Sequence, residues 1–95
     1  MAKLEFVKEA AEKEQLVQKY VVNNQLRVSD IQDTIPVALR ISILTWISIA
    51  NMSASKVGNT EFGKKYRLIK EEGTCVLHCE DGDITMPKYI LEFDV

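Results

Sequence analysis

Val37–Asn51 reads VALRISILTWISIAN, and two periodicities compete for it. Val37, Leu39, Ile41 and Ile43 alternate as in a strand, whereas Leu39, Ile43, Trp46, Ile47 and Ala50 fall on one helical face. Length separates the two. A run this long without Gly or Pro exceeds the ~5 to 6 residues of an ordinary strand, even though its isoleucines lower helix propensity. The reading therefore predicts a helix over 37–51, with Trp46 in the core and Ala38, Ser42, Thr45 and Ser48 towards the other side. The apolar run from Ile35 to Ala50 contains Arg40 and falls short of the ~20 residues that span a bilayer. A core element is expected, and no membrane association.

Working outward towards the N-terminus, Pro36 removes an amide and disfavours helical geometry at Ile35. Ser29 or Asp30 is suited to cap a short helix over 29–35 with Ile31 and Ile35 as its buried positions. Upstream, 3–22 contains neither Gly nor Pro and is rich in Ala, Glu, Lys, Gln and Leu, so a first helix is expected there. Val7, Ala10, Ala11, Val17, Tyr20 and Val21 form its apolar stripe, and Asn23 and Asn24 mark its end and a turn.

Beyond Ser53 the chemistry changes, with Gly58, Gly63, Gly73 and Gly82 punctuating short β-prone runs. Strands are expected over 65–69, 74–79, 84–86 and 89–93. Asp81-Gly82 has the composition of a type I′ hairpin turn, and a bend is expected at Pro87. With 95 residues, 46% apolar and 27% charged, the chain has the composition of one globular domain, 1–95. The expected class is α+β, with helices in the first half and a hairpin sheet in the second. Met1–Ala10 carries four charges and no continuous apolar segment, so a secretory signal is not expected and the reading is cytoplasmic.

Charge is unevenly spread. Residues 1–25 balance, 26–70 hold seven cations against three acids, and 71–95 hold Lys88 against seven acids. A basic middle and an acidic end suggest one face able to meet phosphate and one that repels it.

The order of a capped short helix, a break at Pro36, a helix with a buried aromatic and then KKYRLI as a strand resembles the winged helix–turn–helix superfamily. VSDIQDTIPVALRISILTWIS, residues 28–48, is similar to the helix–turn–helix of small enterobacterial regulators of the CaiF/GrlA and PapI kind. Pro36 stands where that turn usually has glycine, and Arg40 is the one long cation of the second helix. The resemblance implies a non-enzymatic transcriptional regulator that binds double-stranded DNA. Arg40, Ser42 and Thr45 would face the groove, with Lys56, Lys64, Lys65 and Arg67 as flanking basic contacts.

A second class competes. The sequence pI of about 5.4 is low for a dedicated nucleic-acid domain, and the apolar residues of 37–49 surround their helix. Both favour a protein-interaction module, a phage- or plasmid-type accessory or inhibitor protein, completed by a homodimer or a host protein.

Chemistry of other kinds finds little support. On a strand, Cys75 and Cys79 stand ~13 Å apart, too far for one metal ion or a disulfide. His78 is the only histidine and would point away from Cys79. Neither a Walker lysine pattern nor dinucleotide-binding glycine spacing is present. No enzyme activity, cofactor or metal is expected.

Overall fold

The computed structural model describes residues 11–94. A helix over residues 11–18 (α1) leads to strand β1 (Gln25–Arg27), a single 3-10 turn (Val28–Asp30) and the long helix α2 (Val37–Met52). Strands β2 (Val57–Asn59), β3 (Lys65–Leu77) and β4 (Ile84–Phe93) follow. The strands form one antiparallel sheet in the order β1-β4-β3-β2. The class is α+β, and the described residues form two helices with a four-stranded sheet.

α2 buries Leu39, Ser42, Ile43, Trp46, Ile47 and Ala50, a stripe at steps of three and four that matches 3.6 residues per turn. Trp46 is 1% exposed and lies among Phe62, Tyr66 and Phe93, with ring centroids 5.6, 6.2 and 6.4 Å away. Its indole Nε1 donates to Glu61 Oε2 at 3.0 Å, and the Tyr66 hydroxyl donates to the Trp46 carbonyl at 2.9 Å. Both polar tips are thus satisfied inside an apolar cluster. Gly58 makes room for them, because a Cβ there would come within 2.5 Å of the Tyr66 hydroxyl oxygen.

Several expectations are corrected. The helix over 29–35 is replaced by the 3-10 turn Val28–Asp30 and an extended segment. Ile35 makes a parallel bridge with Cys79: its amide donates to the His78 carbonyl at 2.9 Å, and the Glu80 amide donates to the Ile35 carbonyl at 3.0 Å. That pairing requires extended backbone, as does Pro36 immediately after it. The first helix stops at 18, and the part of 3–22 before 11 lies outside the described residues.

The turn expected at Asn23 and Asn24 is present as a two-residue turn, with φ of 53° and 61°. Val22 and Gln25 exchange both backbone hydrogen bonds, at 2.9 and 3.0 Å, the type I′ arrangement that feeds β1 into the sheet.

The second half forms two long strands rather than four short ones. β3 runs through 65–77 and β4 through 84–93, including Pro87. The irregularity falls on β3, where the register shifts between Glu71 and Thr74 opposite Lys88 and Pro87. Gly73 there has φ +95°, which glycine adopts without a Cβ penalty. A tight Asp81-Gly82 turn is also absent. Residues 78–83 form a longer loop, because His78 to Glu80 pair with Ile35 instead of with β4.

Candidate interaction surface

Two features of α2 define the surface. The first is Arg40, whose Nε donates to Asp81 Oδ1 at 3.1 Å while Nη2 lies 2.9 Å from Oδ2. This forked contact spends the helix's single long cation on the loop between β3 and β4. It works together with the Ile35–Cys79 bridge to fasten that loop to the start of α2. Burial pushes the Cys79 thiol above its ordinary range, with Asp81 adding to the effect and Arg40 opposing it.

The second feature is the solvent side of α2. Ala38, Ile41, Thr45, Ser48, Ile49 and Met52 are exposed, and none carries a charge. Ile41 is 47%, Ile49 44% and Met52 84% exposed. A hollow of about 240 Å³ opens beside this face, lined by Ile41, Ser42, Thr45 and Trp46 with Lys13 and Glu61 at its polar side.

The residues expected to meet DNA do not converge. Ser42 is buried, a correction to its placement on the groove side: it lies three residues after Leu39 and four before Trp46, within the core stripe. Thr45 is exposed on α2, and Arg40 is held by Asp81. Lys64 Nζ lies 3.9 Å from Glu14, and Arg67 Nη1 lies 3.8 Å from Glu92. Lys56 donates to the Asn51 carbonyl at 3.2 Å, closing the turn after α2. Lys65 is exposed on the same strand face as Arg67, and with Lys56 these cations gather along the β2–β3 edge, whereas Arg40 stands at the opposite end of the helix.

The sequence already places apolar residues of 37–49 all round their helix, but it does not say which of them meet solvent, and it assigns no role to Met52. The solvent exposure of Ile41, Ile49 and Met52 is visible only once the sheet is laid against the other side of α2. Among the described residues, no group of three or more His, Cys, Asp or Glu side chains is arranged to hold a metal ion. Nor is any helix there long and apolar enough to cross a membrane.

Fold and surface together define a small α+β domain whose long helix presents an uncharged, largely apolar face. The chain belongs to the family described as Protein of unknown function (DUF2397), which matches residues 1–90. No curated protein and no solved structure matches it.

Proposed function

We propose that the chain is a non-enzymatic protein-interaction module, built on a winged-helix-type frame and binding through the exposed face of α2. The observation that carries this reading is the absence of any charged side chain from that face, combined with the capture of Arg40 by Asp81. A helix that enters a DNA groove needs free cations and donors aimed at phosphates and base edges. Apolar side chains rimmed by polar ones instead suit a protein partner. The frame is in keeping with a winged helix whose first helix of the pair has shrunk to one 3-10 turn, followed by an extended break, a long helix and a long hairpin.

The test is a photo-crosslinking residue at Ser48, which is exposed on α2, with Thr85, exposed on β4, as the control. Irradiation in the source cell is expected to yield protein adducts from position 48 and not from 85. Nucleic-acid adducts at 48, or none, would overturn the reading.

One observation favours a second reading, a DNA-binding transcriptional regulator: Lys56, Lys65 and Arg67 lie together at the β2–β3 edge. Three phosphate contacts there would give a slope of about −2.7 for log affinity against log salt. Under the interaction reading, arbitrary duplex DNA is not bound even at about 50 mM salt, where such contacts are strong.

A further inference from the structure

Ser42 is the polar residue of α2 for which the core has no use. It is 4% exposed and sits in the buried stripe between Leu39 and Trp46. Among the described residues its hydroxyl has no hydrogen-bond partner, yet no fully enclosed side-chain polar atom is left unsatisfied. The hydroxyl therefore opens on the hollow beside α2, whose wall Ser42 forms with Ile41, Thr45 and Trp46. A buried hydroxyl without an internal bond calls for a partner from outside the chain.

Two opposite charges border the same hollow. Lys13 of α1 and Glu61 of the turn between β2 and β3 line it without pairing with each other, while their neighbours Glu14 and Lys64 lie 3.9 Å apart and tie α1 to that turn. Glu61 is fixed in place. Its Oε2 accepts the Trp46 indole N–H at 3.0 Å. The turn itself is closed by the Thr60 amide on the Lys64 carbonyl at 2.8 Å and by the Lys64 amide on the Thr60 hydroxyl at 3.0 Å. A carboxylate offers about four acceptor sites, so the indole leaves most of Glu61 open to another donor.

We infer that the hollow is a binding site for a small zwitterion, an α-amino acid with an apolar side chain. The ligand's ammonium donates to Glu61 and to the Ser42 hydroxyl. Its carboxylate lies against the Lys13 ammonium and accepts from the Thr45 hydroxyl, and Ile41 gives its side chain an apolar surface. An ion of one sign would satisfy one of the two charges and be repelled by the other, whereas a zwitterion satisfies both. At about 240 Å³ and ~30 Å³ for each water-sized unit, the hollow takes about eight non-hydrogen atoms, the size of valine. The fold has already ordered Ser42 and Glu61, so binding spends little on arranging them. The site goes beyond the interaction reading and does not depend on it.

The experiment is a titration of the full chain with L-valine, followed by the indole N–H resonance of Trp46, the only tryptophan. Isovalerate, which lacks the ammonium of valine, and isobutylamine, which lacks its carboxylate, are the controls. L-Valine is expected to shift the resonance saturably, and each control to bind about tenfold more weakly or not at all, having lost one charge-assisted contact. Ser42→Ala and Glu61→Gln should each weaken valine binding by a similar factor. Alanine is the better helix former at position 42, and the amide oxygen of glutamine still accepts from the indole, so both variants keep the circular dichroism of the parent.

No saturable shift with L-valine up to its solubility, a control that binds as tightly as valine, or an affinity unchanged in both variants would each overturn the inference. None of these outcomes touches the interaction reading, which stands or falls with the protein adduct at position 48.

Discussion

The two sides of α2 are both rich in isoleucine, yet one is core and the other meets solvent. Leu39, Ile43, Trp46, Ile47 and Ala50 are buried, whereas Ile41, Ile49 and Met52 are exposed. The difference lies in what the sheet offers. Tyr66, Leu68, Leu91 and Phe93 form a continuous apolar floor beneath the inner side, and Tyr66 reaches up to the Trp46 carbonyl. The outer face of the sheet is different again, since Arg27 pairs with Glu71 at 2.9 Å and Arg67 with Glu92 at 3.8 Å. Of these two solvent-facing layers, the sheet carries ion pairs and the exposed face of the helix carries no charge, which is why the helix is the candidate for docking.

The contrast between the sides of α2 is tested first at Trp46. Trp46→Ala should lower the unfolding free energy by about 3 to 5 kcal/mol, the range for emptying a large buried aromatic site, measured by urea denaturation. A loss below about 1 kcal/mol would mean that the tryptophan is not a core anchor.

Tyr66→Phe is a smaller and more specific break. It removes the hydroxyl bonded to α2, for a loss of about 0.5 to 1.5 kcal/mol near neutral pH. Burial, and secondarily Glu61, raise the Tyr66 hydroxyl above its ordinary 10.0. The neutral form is therefore favoured in the folded state. The stability this contributes is present in full below pH 10.0 and is lost as pH rises through the raised folded value, since the unfolded chain ionises first. Urea midpoints of the parent should fall as pH rises above about 10, and more steeply than those of Tyr66→Phe. Equal slopes would remove Tyr66 as the source.

The outer side sets the lower limit. Met52→Lys should change the stability of the monomer by no more than about 0.5 kcal/mol, as for surface substitutions away from special features. A larger loss in chemical denaturation at a concentration where the chain is monomeric would place Met52 in the core instead.

The course of α2 is legible in its residues because a long run free of Gly and Pro has one economical backbone, and the positions three and four apart already select the buried stripe. Ser42 belongs to that stripe by spacing alone, and its assignment to the groove side followed chemical type in preference to geometry. The asparagine pair at 23–24 carried the turn that starts β1, but three-residue strands such as QLR and VGN are too short to show a period. They exist because β4 and β3 present open edges to them.

Local chemistry is enough for the helix, the β-rich second half and the position of Trp46, since each depends on periodicity within one segment. The fate of Ile35 and Arg40 depends on a loop more than forty residues away in the chain. Capping signals at Ser29 and Asp30 could not reveal that Ile35 would be drawn into extended pairing with His78 and Glu80, nor could the count of cations reveal that Arg40 would be neutralised by Asp81. Backbone hydrogen bonds and ion pairs of this range form only after β3 and β4 have folded back together. It is that closure, and not the composition of α2, that leaves its outer side uncharged and exposed.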